Sequence, residues 1–348
     1  MKMRKCGNEK AVGSLAKHRA YLGKPPKKGS VVPFPCDPAK VFATQVKGLA
    51  ARLKAIKCRD VVIGLSGGLD STLALLVADA AFQKLKYDKR GIHIYAMPGF
   101  GTSKRTKGNA ELLCEGLGLK LEFISIVKSV RQHLKDIGHD GKTPDVTYEN
   151  AQARMRTMIL MDKANMTGGI VLGTGDLSEI ALGWSTYNGD HMSMFGVNSG
   201  VPKTVIRKIC QWYAIEQSNN RAIEQSLLDI IATPVSPELV KGQVTEDKIG
   251  PYELHDFFLW NFIMNEMGSK DLQKAAEGYF LGNRTIRTIE QSNNFTKELI
   301  AKTLKTFLWR FFTQAFKRNC QPDGIKVFPF ELSLHDWWIP SDLGYVKV

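Results

Sequence analysis

The stretch VVIGLSGGLDST (61–72) sets Ser66, Gly67, Gly68, Asp70 and Ser71 directly after a run of apolar residues. Paired glycines let a backbone turn sharply and approach an anion with no Cβ in the way. A helix expected to open at Ser71 presents unpaired N–H groups and a positive dipole end at the same place. The hydroxyls of Ser66 and Ser71 add donors, while Asp70 suits Mg²⁺ rather than phosphate. No Lys follows the glycines, so this is not the Gly-x-x-x-x-Gly-Lys-Ser/Thr loop of γ-phosphate chemistry, and the third glycine of a dinucleotide fingerprint is missing. Gly-rich turns are often plain surface turns, but this one falls between a buried strand and a buried helix.

A second block, GGIVLGTGDLSEIALGWSTYNGDHMSMFGVNSGVPKT (168–204), carries further candidates. Thr174 and Gly175 end an expected strand, where adenosine or phosphate would lie. Glu179 falls early on the next helix and could complete a magnesium site with Asp70, since Mg²⁺ is commonly held by one or two carboxylates plus substrate oxygens. Trp184 and Tyr187 sit in a polar loop and suit stacking on a ring, or simply anchor that loop to the core. Lys203, opening a helix after Pro202, is a candidate phosphate cation.

The elements that must position these residues alternate. Strands are expected over 60–65, 92–97, 121–126 and 168–174, with helices over 38–57, 71–85, 104–117 and 148–166 and another ending at Ile137. Such alternation indicates a parallel sheet with helices on both faces. From Pro202 onward the pattern is helical: 203–215, 221–231, 252–264, 270–279 and 297–318. In open sheets of this kind ligands bind beyond the carboxyl ends of the strands, and both chemical blocks lie there. Residues 1–35 read as a basic, mobile arm, and 36–348 as one domain whose 203–348 part is mainly helical.

The formal net charge of +14 favours polyanions. No nucleic-acid-binding signature accompanies it, so small phosphorylated substrates are expected rather than nucleic acid. No apolar run approaches the roughly 20 residues of a membrane span, and the basic N-terminus lacks the apolar region of a secretory signal. The six cysteines are scattered without a Cys-x-x-Cys, as free thiols in a reducing cytosol would be. A cytoplasmic location is therefore expected.

Ser-Gly-Gly-x-Asp-Ser after a strand resembles the pyrophosphate-binding loop of the N-type ATP pyrophosphatases. That resemblance implies ATP cleaved between its α and β phosphates, on an α/β, Rossmann-like doubly wound sheet of the adenine nucleotide α-hydrolase type. Gly-Thr-Gly-Asp-Leu-Ser-Glu, Leu-Gly-Trp-Ser-Thr-Tyr and Val-Pro-Lys-Thr then resemble the synthetase domain of the glutamine-dependent NAD synthetases. AMPGFGTS (96–103), DIGHD (136–140), VTYENAQARMRTMILMDKAN (146–165), GPYELHDFF (250–258) and FKRNCQPDGIKV (316–327) agree in order and spacing.

The resemblance implies ATP contacts at Gly64, Leu65, Ser66, Gly67, Gly68, Asp70, Ser71, Met97, Thr102, Thr174, Lys203 and Thr233, with Mg²⁺ on Asp70 and Glu179. It implies contacts to deamido-NAD (nicotinate adenine dinucleotide) at Asn150, Arg154, Glu179, Trp184, Ser185, Thr186, Tyr187 and Lys317. Arg156, two residues along the helix from Arg154, points elsewhere. The implied reaction amidates the nicotinate carboxylate through an acyl-adenylate, releasing AMP and pyrophosphate. It needs no covalent nucleophile, and Asp176 or Asp190 would orient ammonia.

Glutamine-dependent relatives carry an amidase before this domain, and only about 35 residues precede the match here. Free ammonia, or ammonia from a separate glutaminase subunit, is therefore expected. The C-terminal LSLHDWWIPSDLGYVKV also departs from the family's ending, an Asp flanked by arginines. A homodimer is implied by the resemblance alone. The competing expectations are an RNA-modifying adenylating enzyme, which the positive charge would suit, and a non-catalytic nucleotide-binding subunit.

Overall fold

The computed structural model describes residues 33–233, 236, 239–240, 244–282, 295–333 and 336, without the side chain of Lys104. The arm expected over 1–35 lies almost wholly outside these residues, as does nearly all of the C-terminal tail. Phe34 is an exception. Its ring is buried against Trp260 and Phe328, 5.0 Å from each centroid.

Five strands form the sheet: β1 (Val61–Gly64), β2 (Ile92–Ala96), β3 (Leu121–Phe123), β4 (Ile170–Gly173) and β5 (Phe195–Gly196). All described pairings are parallel and the order is β3-β2-β1-β4-β5. The chain thus works outward from β1 in one direction, then returns to its other side. The switch point lies between β1 and β4, and the crevice beyond their carboxyl ends is where such folds hold ligands.

Side-chain alternation along β1 shows why helices cover both faces. Val61 and Ile63 join the core built by α1 (Pro38–Ala55) and α2 (Leu69–Leu85), while Val62 joins the smaller core under α4 (Val127–Asp136) and α5 (Val146–Thr167). The helix α3 (Lys104–Leu117) follows β2 and starts from the Ser103 side chain, which accepts from Thr106 N. A short helix, α6 (Leu177–Leu182), follows β4, and α7 (Lys203–Trp212) follows β5.

Beyond α7 the described residues are mainly helical as far as Arg318: α8 (Arg221–Ile231), α9 (Thr245–Ile249), α10 (Tyr252–Met264), α11 (Ser269–Ala276), α12 (Lys297–Thr313) and α13 (Ala315–Arg318). In α10 Tyr252, Leu254, His255, Asp256 and the run Phe257–Asn261 are all buried, because α6, α7, α11 and α12 surround it. Three long helices of the sequence pattern are interrupted. Single π turns follow α7 at Tyr213–Gln217 and α11 at Glu277–Leu281, and Gln314 separates α12 from α13. Two-residue β5 gave no alternation to read. No helix among the described residues is long and apolar enough to cross a membrane.

Candidate active site

The loop Ser66–Gly68 leaves β1 and enters α2 through Gly68, which caps the helix with no side-chain bond. The first-turn amides of α2 therefore remain available to an anion. Gly67 takes φ +81°, and a Cβ there would lie 2.3 Å from Thr106 O at the start of α3. The two hydroxyls expected to face phosphate brace the turn. Ser71 Oγ accepts from Ser66 N (3.2 Å), lies 3.0 Å from Ser66 Oγ and donates to Gly68 O (3.1 Å), while Ser66 Oγ accepts from Gly68 N (3.2 Å). Gly64 ends β1, and Leu65 extends its pairing through Leu65 N to Tyr95 O.

Beside this loop the structure gathers four candidates drawn from two strand ends and α7. The buried Lys203 ammonium lies 2.5 Å from Asp70 Oδ2, 2.8 Å from Asp176 Oδ2 and 2.9 Å from Glu179 Oε1. It donates to Asp70 and Glu179, and meets Asp176 as an ion pair without hydrogen-bond geometry. Tyr252 of α10 stands behind it, its ring centroid 5.3 Å from the ammonium. Lys203, expected toward phosphate, is thus held among carboxylates.

Burial pushes Asp176 well above the usual carboxylate range, against the pull of Lys203, and raises Glu179 to about 7. Burial also works against the charged ammonium of Lys203, yet Asp176, Asp70 and Glu179 together hold its pKa well above that of an ordinary lysine. Asp176 additionally caps α6, accepting from Glu179 N at 2.8 Å in a reciprocal capping box.

A divalent cation fits these residues. One oxygen each from Asp70, Asp176 and Glu179 lies within 4.8 Å of the others, and Asp70 Oδ1 is buried with no hydrogen-bond partner. One ammonium does not saturate three carboxylates. Hard oxygen donors of this kind suit Mg²⁺.

The second group of candidates forms the adjoining wall. Thr186 Oγ1 donates to Asn150 Oδ1 (2.8 Å), and Arg154 Nε donates to Tyr187 O (3.2 Å), so α5 holds the 184–194 loop at two points. Lys317 on α13 donates to Gly183 O (2.8 Å) and Ser185 O (2.6 Å). Trp184 lies under the Arg310 guanidinium, 4.8 Å from its ring centroid, and packs on the core, whereas Tyr187 is exposed and stacks on His191. A cleft of about 40 Å³ lies among Glu179, Ser185, Asp190, His191 and Lys317. Asp190 Oδ1 accepts from Thr186 N at its rim (2.8 Å).

Past the carboxyl end of β2, Thr102 Oγ1 accepts from Gly99 N (3.0 Å), and Met97 is buried. Arg156 Nε donates to Met97 O (3.0 Å), so Arg154 and Arg156 do serve different faces of α5. Thr233, past α8, donates back to Asp229 O, and no hydrogen bond found among the described residues ties it to the other candidates.

Sequence reasoning missed the residues that tie the halves together. Buried Asn198 donates to Asp70 O (2.8 Å) and Thr174 O (3.1 Å), linking the loops after β1 and β4, and Gln45 of α1 donates to Asn198 Oδ1 (3.0 Å). Tyr252 and Asp256 were missed as well. The available signal was a Tyr and an Asp one helical turn apart in the apolar-rich stretch YELHDFFLWNFIM of α10.

A family model described as NAD synthase matches residues 41–299. The glutamine-dependent NAD(+) synthetase of Mycobacterium bovis is 38% identical over 344 residues, covering 90% of this chain and 50% of that protein. The protein of the same name from Thermotoga maritima is 33% identical over 251 residues, covering 72% and 42%. The chain thus spans about half the length of the curated relatives it matches. Among solved structures, a glutamine-dependent NAD(+) synthetase from Cytophaga hutchinsonii aligns with TM-score 0.66 at 17% identity, covering 87% of this chain and 54% of that one. An NMN synthetase from Francisella tularensis aligns with TM-score 0.56 at 22% identity, covering 75% and 100%. With the phosphate loop, the acid–lysine cluster and the matched span in agreement, the chain belongs to the NAD synthase family.

Proposed function

We propose that this chain uses ATP to amidate the nicotinate carboxylate of deamido-NAD, forming NAD⁺, AMP and pyrophosphate. The observation that carries the proposal is the meeting of the open α2 N-terminus with Asp70, Asp176, Glu179 and Lys203 at the β1/β4 switch point. A carboxylate is a poor electrophile, so its oxygen first attacks the α phosphorus. The bond to the β phosphate then breaks, and pyrophosphate leaves with the electron pair onto the Gly67 amide and the first turn of α2.

Mg²⁺ held by Asp70 and Glu179 would neutralise phosphate charge and polarise the phosphoryl oxygens. Lys203 adds fixed positive charge that is already desolvated before substrate arrives. Ammonia, free or released from glutamine by an amidase, attacks the acyl carbon, and AMP departs with the former carboxylate oxygen. The proton shed by ammonia goes to a carboxylate. Asp190 suits that role better than Asp176, because Asp190 borders the cleft beside Glu179 and Lys317 while Asp176 is committed to α6 and Lys203. Asn150, Arg154, Ser185, Thr186, Tyr187 and Lys317 line the dinucleotide side, with Trp184 as its floor; Met97, Thr102, Thr174 and Thr233 belong to the ATP side.

Met158 and Met166, eight residues apart on one side of α5, are exposed apolar side chains against which a second copy could pair as a homodimer. A cytoplasmic setting agrees with free thiols at Cys36, Cys58, Cys114, Cys210 and Cys320. The test is NAD⁺ formation from ATP, Mg²⁺, deamido-NAD and ammonium, omitting each in turn. Dependence on all four supports the reaction; NAD⁺-free mixtures with intact, folded protein refute it.

A further inference from the structure

α10 carries a buried acid that the reaction above does not use. Asp256 is 2% exposed, and an apolar side chain would pack there at lower cost unless the carboxylate has specific partners. It has three. Asp256 Oδ1 accepts from Ser178 Oγ, and Oδ2 accepts from Thr204 N (3.0 Å) and Thr204 Oγ1 (2.7 Å). Ser178 Oγ in turn accepts from Lys203 N at 2.9 Å.

These partners are the sequence neighbours of the cluster. Ser178 precedes Glu179 on α6, and Thr204 follows Lys203 on α7. Pro202 gives α7 no side-chain cap, and the first two amides of α7 are satisfied by Ser178 and Asp256 instead. The N-terminus of α7 is therefore closed to substrate phosphate and tied to α6. Tyr252 lies one helical turn before Asp256 on α10 and sets its ring against the Lys203 ammonium. One face of α10 thus meets the Thr204 backbone through Asp256 and the Lys203 side chain through Tyr252.

We propose that Asp256 is a positioning residue: its carboxylate clamps Ser178 to Thr204 and thereby fixes the spacing of Glu179 and Lys203 on which cation-assisted ATP binding depends. The proposal rests on the cation-and-phosphate reading of the site. Asp256 touches neither group directly and acts through one residue on each side. Asn at this position keeps an acceptor for Thr204 but cannot also accept the Ser178 hydroxyl proton with the oxygen it has lost.

The test is calorimetric titration of ATP into the whole chain at graded Mg²⁺ concentrations, for wild type, Asp256→Asn, Thr204→Val and Asp79→Asn. Asp79, on α2, is an equally buried carboxylate paired with Lys89 (2.6 Å) and Gln83 (2.5 Å), away from the clamp. Asp256→Asn is expected to need at least tenfold more Mg²⁺ for half-maximal ATP binding, and Thr204→Val severalfold more. Asp79→Asn should melt earlier yet keep the wild-type Mg²⁺ dependence within twofold. Folded Asp256→Asn with wild-type Mg²⁺ dependence overturns the proposal, as does an equal shift in Asp79→Asn, which would mark a merely structural acid. Should Asp256→Asn not fold, Thr204→Val decides alone, and its unchanged Mg²⁺ dependence overturns the proposal. Wild type that binds ATP with Mg²⁺ but forms no NAD⁺ would refute the proposed reaction while leaving this comparison intact; wild type that binds no ATP refutes both.

Discussion

Replacing Lys203 with Met keeps the stem and removes the ammonium from 2.5, 2.8 and 2.9 Å of three carboxylates. Lys203 is 2% exposed, so solvent does little to screen the loss. Breaking a buried ion pair from one side costs about 3–5 kcal/mol. In a chain of this size that corresponds to a fall of roughly 4–7 °C in melting temperature. The carboxylates left behind form a stronger divalent site, since no ammonium competes for Asp70 and Glu179. At a Mg²⁺ concentration 100-fold above its dissociation constant, binding to the folded state returns about 2.7 kcal/mol, most of the deficit. Differential scanning fluorimetry of wild type and Lys203→Met in EDTA and in a Mg²⁺ series reads both effects. Lys203→Met as stable as wild type in EDTA, or a deficit that Mg²⁺ leaves unchanged, would refute the reasoning.

Four further outcomes are expected. Gly67→Ala should cost about 1–3 kcal/mol from its positive φ alone, and more from the clash with Thr106 O. Gly68→Ala should stay within about 1 kcal/mol of wild type yet bind ATP at least tenfold more weakly; urea midpoints and ATP titrations separate the two. Asn198→Ala should lose about 2 kcal/mol or more, because the Asp70 and Thr174 carbonyls lose their donor, and should raise the KM for ATP. His255 is pulled down from 6.5 to about 4 by burial, with Arg310 adding to the effect and the bond to Ile249 O opposing it. Below pH 6.5 the unfolded chain then binds a proton that the folded chain refuses, so stability falls as pH drops from about 6.5 to about 4, by roughly 3 kcal/mol in all. Tyr252 and Phe307 face the same ring. In His255→Gln that increment of pH dependence should vanish from urea unfolding measured across this range.

The fold was legible where elements are long and strongly patterned. The apolar run at 61–65 identified β1, and alternation of strands with helices identified the parallel sheet. Boundaries moved where capping decided them: Gly68 caps α2, so the helix begins at Leu69, before the expected Ser71. β5 escaped notice because two residues cannot show a period. Within the site, residues with distinctive local spacing, Ser66 to Ser71 and Asp176 to Glu179, could be found from the chain alone. Lys203 was found too, but its carboxylate surroundings depend on α6 and α7 meeting across the switch point, which no local pattern encodes. Asn198, Gln45 and Asp256 act entirely through such long-range contacts. Their buried polarity makes sense only once their partners are in place.

Product analysis tests the central claim most directly. The loop has no lysine after its glycines, and its open helix end is proposed to retain pyrophosphate. With ATP, Mg²⁺, deamido-NAD and ammonium, ion-exchange chromatography should find AMP and pyrophosphate rising in equal amounts with NAD⁺. ADP and inorganic phosphate as the nucleotide products, accompanying whatever amide forms, would contradict cleavage between the α and β phosphates and with it the proposed role of Ser66 to Ser71.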